Sequence, residues 1–191
     1  MNGTSSQKTA SKAFPTDWSL SWVEALLLIG SGALAVVIHR NTDLSLGLPG
    51  HQGIAWMAIL IIGRMSSRFR GAGSLAGIGA SAATFIPALH TANPFTALFY
   101  LLPGPVMDFA FYYFPRYANK LWFLALIGGL AHVTKPLGQL VINAVMGWPF
   151  GSFRFGVLYP VASHLLFGLI GGFIGALIVL GIHCLSPKST Q

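Results

Sequence analysis

Long apolar segments with few charged residues occupy most of this sequence. A helix that crosses a membrane requires about 20 predominantly apolar residues at a rise of about 1.5 Å per residue. Only 8% of the 191 residues are charged and 54% are hydrophobic, whereas about 25% of the residues in a typical soluble domain are charged. A chain with so few charges cannot cover the surface of a soluble globule. The sequence therefore predicts an integral membrane protein and not a soluble enzyme.

Six segments are predicted to cross the membrane as helices. They comprise residues 18–39, 49–63, 71–92, 94–114, 119–148 and 153–184. The second is the shortest, and the last two are long enough to cross with a tilt. Together they form a transmembrane domain at residues 18–184, between a polar tail at 1–17 and a short tail at 185–191. The predicted fold class is an all-α integral membrane bundle of about six transmembrane helices.

The basic residues predict the orientation of this bundle. With a cytoplasmic N-terminus, the inner flanks carry Lys8, Lys12, Arg64, Arg68, Arg70, Arg116, Lys120 and Lys188, and the outer flanks carry Arg40 and Arg154. Cytoplasmic loops of membrane proteins have such an excess of Lys and Arg. We therefore predict a multi-pass protein of the cell (inner or plasma) membrane with both termini cytoplasmic. The net charge of +7 does not indicate a nucleic-acid partner, because the basic residues form no continuous patch.

Small residues recur every four positions in several predicted spans. The repeats are Gly73, Gly77 and Ser81 in the third span, Gly168, Gly172 and Ala176 in the sixth, and the weaker pair Ser31 and Ala35 in the first. Small side chains let helix backbones approach closely in a membrane. The repeats indicate either packing inside the bundle or a surface that contacts a partner membrane subunit.

The fifth predicted span carries a row of polar residues. His132, Lys135, Gln139 and Asn143 are spaced by three, four and four positions, which places them on one face of a helix. Strongly polar groups at membrane depth are costly unless they are paired or face water. The row therefore predicts a polar cavity. Pro136 lies within the row, so this span is either one kinked helix or two half-helices.

Other polar residues are predicted to converge on the same cavity from the outer side. They are His164 in the sixth span, His90 at the end of the third, and His51 and Gln52 in the loop between the first two spans. That loop, rich in Gly and Pro, is expected to form an ordered lid. The alternatives are an ion pair of Lys135 with Asp108 or Glu24, and ordinary core positions for His132 and His164.

Catalytic and metal-binding patterns are not found in the sequence. No two of the six histidines are spaced by four residues, and neither HExxH nor CxxC occurs. The glycine-rich runs lie within predicted spans, where a phosphate-binding loop is not expected. We therefore predict no catalytic residue, no metal ligand and no ATP site in this chain.

Three segments give the chain a resemblance to a known family. They are LGLPGHQGIAWMAILIIGR at 46–64, NPFTALFYLLPGPVMDF at 93–109 and HLLFGLIGGFIGAL at 164–177. With its length and six predicted spans, the chain resembles the substrate-binding (S component) subunits of energy-coupling factor (ECF) transporters. The metal-specific branch of that family has a histidine close to the initiating Met. This chain has Asn2 there, which argues against that branch's metal site.

The resemblance implies a function and a set of partners. Such a subunit captures a vitamin-like metabolite from the outer face, under a lid that would be residues 43–52 here. It works with a transmembrane coupling subunit and two cytoplasmic ATPases, which hydrolyse the ATP, so this chain itself needs no cofactor. Ser31 and Ala35 would contact the coupling subunit. His132, Lys135, Gln139, Asn143, His164, His51, Gln52 and His90 would form the substrate-binding site, and Lys135 suits an anionic group on the ligand.

Two other functions are compatible with the same residues. The first is a stand-alone proton-coupled carrier or channel in which His132, Lys135 and Asp108 relay protons. The second is a membrane redox protein that binds haem or a metal between His132, His164 and either His51 or His90. Neutral imidazole is the commonest metal ligand, so six histidines make the second alternative reasonable.

Overall fold

Helices form nearly all of the regular structure in the computed structural model, which describes residues 16–41, 47–91 and 93–185. The α-helices are α1 (Trp22–Asn41), α2 (Gly53–Met65), α3 (Ala72–Ala83), α4 (Thr96–Leu101), α5 (Pro103–Tyr113), α6 (Leu121–Met146) and α7 (Leu158–Leu185). Short 3-10 turns lie at Pro87–Leu89 and Gly151–Phe153. The prediction of an all-α fold is confirmed for the described residues.

Three of these helices are long and apolar enough to cross a membrane. They are Trp22–Asn41, Leu121–Met146 and the segment Leu158–Ile182 of α7, with mean hydropathies of 1.8, 1.3 and 2.6. They coincide with the first, fifth and sixth predicted spans. Helices α2 and α3 are apolar but have only 13 and 12 residues. One crossing requires about 20 residues. Three helices thus support the prediction of a helical bundle that spans a membrane.

The remaining predicted spans differ from the helices in their boundaries. The segment 94–114 is divided into α4 and α5, which are separated only by Leu102. Pro103 begins α5, and a proline is tolerated at the first position of a helix because the N–H it lacks would have no partner there. By contrast, α6 is continuous through Pro136. The fifth predicted span is therefore one helix in this structure.

The outer faces of the helices expose large apolar side chains. On α1, Trp22 is 88% exposed, Leu26 68% and Leu27 69%, and on α6 Val145 is 78% exposed. Soluble monomers rarely expose large contiguous apolar patches. Lipid accommodates such a surface without cost, so the exposed faces support a protein embedded in a membrane.

Glycine contacts hold the helices together inside the bundle. A Cβ atom added to Gly168 of α7 would lie 2.6 Å from the carbonyl oxygen of Gly128 in α6. A Cβ on Gly73 of α3 would lie 2.7 Å from the carbonyl of Gly104 in α5, and one on Gly77 would lie 2.8 Å from that of Leu101. Such contacts are possible only without a side chain. The repeats of the third and sixth spans are used for internal packing at these positions.

One end of the bundle, here called the arginine end, joins the segment before α1 to the α2–α3 loop. The backbone N–H of Asp17 donates to the carbonyl of Arg68 at 3.0 Å, and that of Arg70 donates to the carbonyl of Asp17 at 2.9 Å. Nearby, Nε of Arg64 lies 3.0 Å from Oδ1 of Asp108. These contacts bring the start of α1, the end of α2, the start of α3 and α5 to the same end.

The buried pair of Arg64 and Asp108 is the central polar contact of that end. The Arg64 side chain is 1% exposed, and its guanidinium lies 4.2 Å from the centre of the Phe111 ring. Asp108 also accepts backbone N–H donors from Gly73 at 2.9 Å and Ser74 at 2.7 Å, at the first turn of α3. The carboxylate therefore compensates both the Arg64 charge and unpaired N–H groups of the helix.

The opposite end of the bundle contains the end of α1, the turn at 47–52 and the segment before α4. There the Arg40 guanidinium donates to the carbonyl of Leu89 at 3.1 Å. Nε2 of His132 in α6 lies 3.2 Å from the carbonyl oxygen of Gly50 in the turn. His132, the first residue of the polar row of α6, thus lies toward the end of the bundle opposite the Arg64–Asp108 pair.

Candidate functional site

A cavity of about 220 Å³ lies at this opposite end, between α1, α2, α4, α6 and the segment before α4. Three basic side chains line it: His39 and Arg40 from the last turn of α1 and Lys135 from the middle of α6. Lys135 and Gln139 are four residues apart on one face of α6, and both reach the cavity. The cavity therefore combines two residues of the predicted polar row, Lys135 and Gln139, with basic groups that the row did not include.

Lys135 is partly buried, and none of the acidic side chains in the described part of the chain pairs with it. Asp108 is bonded to Arg64 at the arginine end. Glu24 accepts a hydrogen bond from Oγ of Ser67 at 2.6 Å, also near that end. The predicted alternative of an ion pair between Lys135 and Asp108 or Glu24 is therefore not observed. A cation held at depth without a carboxylate is costly unless another anion compensates it.

Arg40 adds a second positive charge at the rim of the cavity. Its guanidinium donates to the backbone carbonyls of Leu89 at 3.1 Å and His90 at 3.2 Å. These bonds fix the position of the guanidinium, but carbonyl oxygens do not neutralise its charge. Since guanidinium groups carry five N–H donors, others remain for a ligand.

Aromatic rings form one wall of the cavity. His39, Trp56 and Tyr100 pack edge to face, with ring centroids 5.8 Å apart for His39 and Trp56 and 5.2 Å apart for Trp56 and Tyr100. They are 5%, 1% and 6% exposed. Nε1 of Trp56 and Nδ1 of His39 are buried and have no hydrogen-bond partner among the described residues. Buried polar atoms of this kind normally have a partner, and the indole N–H can only donate.

The neutral polar residues of the cavity are already organised. Oε1 of Gln139 accepts a hydrogen bond from Oγ of Ser152 at 2.9 Å. In the segment before α4, Oδ1 of Asn93 accepts the backbone N–H of Phe95 at 2.9 Å, and Oγ1 of Thr96 donates to the carbonyl of Asn93 at 2.8 Å. This part of the lining is held in place by its own hydrogen bonds, which favours binding because less entropy is lost.

His132 and His164 lie behind the aromatic wall and do not line the cavity. Their ring centroids are 4.7 Å apart with planes at 36°, and the His132 ring lies 5.5 Å from that of Trp56. Nδ1 of His164 donates to the carbonyl of Pro160 at 2.7 Å. The pair supports the turn at 47–52, since the Gly50 carbonyl bonds to His132.

Gly50 is required at its position for two reasons. Its φ of +81° is unfavourable for residues with a side chain. A Cβ atom there would also lie 2.8 Å from the His164 ring. The turn therefore lies directly on the histidine pair, next to Gln52, which lines the cavity.

Three other predicted site residues do not line the cavity. Nδ1 of His51 bonds to the carbonyl of Leu48, and its ring lies 6.5 Å from that of Phe167. His90 lines an adjoining pocket of about 260 Å³, which shares Thr91, Asn93 and Thr96 with the cavity. Asn143 is exposed, and its Nδ2 donates to the carbonyl of Trp148 at 2.9 Å, beyond the end of α6.

Of the eight predicted substrate-binding residues, the cavity brings together Lys135, Gln139 and Gln52. Residues 43–46 of the predicted lid lie outside the described part of the chain.

Several cavity residues were not predicted from the sequence. They are His39, Arg40, Trp56, Thr91, Asn93, Thr96, Phe99 and Tyr100. Arg40 was assigned to the flank of the first span, and Trp56 and Tyr100 resemble ordinary apolar helix residues. The adjacent basic residues His39 and Arg40 could have been identified, because they lie at the outer end of an apolar span, at the depth predicted for the cavity.

One of the two residues predicted to contact a coupling subunit, Ser31 and Ala35, is buried. Ala35 is 0% exposed and lies in the hydrophobic core, so it offers no surface to a partner in this conformation. Oγ of Ser31 donates to the carbonyl of Leu28 at 2.7 Å. Ser31 lines a groove of about 710 Å³ between α1 and α2, which also includes Leu34 and Ile59.

Comparison with known protein families, characterised proteins and solved structures found no match. Function is therefore inferred from the cavity itself. Within the described residues, no group of three or more His, Cys, Asp or Glu side chains could hold a metal ion. The Lys135 and Arg40 side chains of the lining are suited to bind a small molecule that carries negative charge.

Proposed function

We propose that this chain is the substrate-binding membrane subunit of an ATP-driven importer and captures a small anionic metabolite beside Lys135. The observation that carries the proposal is the cavity in which Lys135 and Arg40 contact no acidic side chain of the described residues. The family resemblance adds a transmembrane coupling subunit and two cytoplasmic ATPases as partners. ATP is hydrolysed by those partners, and this chain binds rather than transforms its ligand.

The charge of the cavity supports an anionic ligand. A carboxylate or phosphate between Lys135 and Arg40 would accept charge-assisted hydrogen bonds, which are about twice as strong as neutral ones. The ligand would thereby complete contacts that the protein leaves open.

The size of the cavity supports a small ligand. Its volume of about 220 Å³ lies below the about 300–1,000 Å³ of pockets that hold drug-sized molecules. The wall of Trp56, Tyr100 and His39 offers apolar surface for the body of the ligand. A vitamin-like acid with one compact ring or short chain would fit both the volume and the lining.

The arrangement of the helix ends supports six membrane crossings with both termini cytoplasmic. Helices α2 and α3 are short by themselves, but each continues into loop residues, and α4 and α5 follow one another with only Leu102 between them. Arg68 and Arg70 lie at the arginine end with the segment before α1. Arg40 lies at the opposite end, with the cavity. The positive-inside rule then orients the arginine end toward the cytoplasm and the cavity toward the outer face of the cell membrane.

The turn at 47–52 is suited to act as part of a lid. Gln52 lines the cavity, and Gly50 in the same turn is bonded to His132. Ligand contacts with Gln52 would therefore be transmitted to a turn that rests on the histidine pair. This gives His132 and His164 a positioning role and not a direct contact with the ligand.

The two alternative functions have less support. A proton relay of His132, Lys135 and Asp108 would need a connection between the two ends of the bundle, yet Asp108 is bonded to Arg64, Gly73 and Ser74. In a redox protein with His132 and His164 as axial ligands, haem would have to lie between their rings. At a centroid distance of 4.7 Å the two rings lie against one another and leave no space for it.

Mass spectrometry of the small molecules retained after gentle purification tests the proposal. The wild-type protein is expected to retain an anionic metabolite. Arg40→Gln should reduce its amount because the rim charge is lost, whereas Arg154→Gln should not, since Arg154 is exposed and lies outside the cavity lining. A neutral or cationic ligand, or equal loss in both variants, would contradict an anion site beside Lys135 and Arg40.

Affinity purification of the tagged chain from its native membrane tests the importer assembly separately. Two ATPases and a third membrane protein should co-purify if the chain is part of an importer. Recovery of the folded chain without any ATPase, together with ligand transport by the chain alone in proteoliposomes, would instead favour a stand-alone carrier. The ligand site itself could be correct in either case.

A further inference from the structure

A cleft of about 460 Å³ lies at the arginine end, far from the cavity that contains Lys135. It lies between the segment before α1, the first turn of α3 and the last turns of α5. Its polar and aromatic lining includes Trp18, Arg70, Ser74, Asp108, Tyr112 and Tyr113. No role in substrate capture is assigned to this cleft.

Arg70 is held in the cleft by two aromatic rings and by its backbone. Its guanidinium carbon lies 5.4 Å from the centre of the Trp18 ring and 5.3 Å from that of Tyr112. The backbone N–H donates to the carbonyl of Asp17 at 2.9 Å. Nε of Arg70 is buried and has no hydrogen-bond partner among the described residues. The guanidinium is therefore positioned, but a donor remains unsatisfied.

The carboxylates near Arg70 are bonded to other groups. Asp108 is paired with Arg64 and accepts the backbone N–H groups of Gly73 and Ser74. Oδ1 of Asp17 accepts hydrogen bonds from the backbone N–H of Ser19 at 3.0 Å and from its hydroxyl at 2.7 Å. The charge of Arg64 offsets that of Asp108. Among the described residues no carboxylate forms an ion pair with Arg70, and Asp17 does not line the cleft. Arg70 thus supplies the positive charge of the cleft.

The position of the cleft favours a lipid over a soluble ligand. Trp18 is 71% exposed, Phe109 60%, Tyr112 53% and Tyr113 59%. Tyr and Trp are enriched at the depth of the lipid headgroups, and basic pockets between transmembrane helices bind anionic headgroups. The exposed ring of Phe109 extends the cleft with apolar surface, which acyl chains can cover.

We propose that this cleft binds the phosphate headgroup of an anionic membrane lipid, with Arg70 as its cationic ligand. The phosphate would pair with the Arg70 guanidinium that lines the cleft, while the acyl chains lie along Phe109 and Tyr113. Such a lipid would hold together the segment before α1, α3 and α5. The site depends on the membrane location of the bundle but not on the importer function.

Native mass spectrometry of the full-length, delipidated protein tests this site. Phosphatidylglycerol and phosphatidylcholine are added in turn, and wild type is compared with Arg70→Ala and Arg68→Ala. Arg68 is the matched control, because it is an exposed arginine two residues away that does not line the cleft. The wild type should retain phosphatidylglycerol in preference to phosphatidylcholine. Arg70→Ala should weaken that binding at least about five-fold, and Arg68→Ala should change it less than about two-fold.

Several outcomes would overturn the proposal. They are unchanged phosphatidylglycerol binding in Arg70→Ala, equal losses in both variants, and equal retention of the two lipids by the wild type. Inorganic phosphate is added as a separate competitor, and displacement of the lipid at millimolar phosphate would show a site for free anions. If Arg70→Ala does not fold, Arg70→Gln replaces it, since this change removes the charge but keeps a polar side chain with hydrogen-bond donors.

Discussion

Replacing Lys135 with Met tests the central feature of the cavity, which is a partly buried cation without an acidic partner in the described chain. Methionine keeps the unbranched side chain and removes the charge. A hydrogen bond to a charged group contributes about 1.5–3 kcal/mol. Since about 1.4 kcal/mol corresponds to a tenfold change in affinity, the dissociation constant of the anionic ligand should rise about 10- to 150-fold.

The same substitution should leave the ligand-free protein folded. Removing an uncompensated cation from a partly buried site relieves a desolvation cost, so the melting temperature without ligand should be unchanged or higher. Lys135→Arg keeps the charge and should lose less affinity than Lys135→Met. Lys120→Met is the matched control, because Lys120 is exposed and lies outside the cavity.

Ligand affinity is measured by isothermal titration in detergent with the metabolite identified by mass spectrometry, and stability by thermal unfolding. The reasoning would be refuted if Lys135→Met bound the ligand within about two-fold of the wild type, because the expected charge-assisted contact would then be absent. An equal loss in Lys120→Met would also refute it, since the effect would then depend on the net charge of the protein and not on the cavity.

Two further sets of substitutions test the structure at the two ends of the bundle. Gly50→Ala should destabilise the protein more than Gly147→Ala in thermal unfolding. Both glycines have positive φ, but an added Cβ would lie 2.8 Å from the His164 ring at Gly50 and in open space at Gly147. Equal losses would show that the turn does not rest on the histidine pair. Arg64→Met or Asp108→Asn alone should cost about 3–5 kcal/mol, because each leaves a buried charge without its opposite charge. The double variant should lose less than the sum of the two. Additive losses in this double-mutant cycle would contradict a direct contact.

The aromatic wall shows why part of the cavity could not be predicted from the sequence. Lys135 and Gln139 were identified because their spacing on one helix determines that they share a face. Trp56 and Tyr100 come from different helices, and each alone is indistinguishable from a core residue. Their meeting at 5.2 Å depends on how α2 and α4 pack. Asn143 lies on the predicted face of α6 but beyond the depth of the cavity, where it bonds to Trp148.

The choice of ion partners was also decided only by the tertiary structure. The sequence contains Asp108, Glu24, Arg64 and Lys135 without indicating which of them meet. The Arg64 side chain, from the last turn of α2, reaches α5 at the arginine end, where its Nε lies 3.0 Å from Oδ1 of Asp108. Lys135 lies at the opposite end, in a cavity lined by Arg40 and by no Asp or Glu of the described residues, so the lining has an excess of positive charge.

The sequence by itself predicts that lipid surrounds most of this protein and that its secondary structure is helical. Long apolar segments must satisfy their backbone hydrogen bonds internally in lipid, so helices are required whatever their neighbours are. Which helices touch was decided by close contacts such as that of Gly168 with Gly128, and similar glycines occur in most of the helices. The cavity depends on those contacts, because its charge and its walls come from residues that only helix packing brings together.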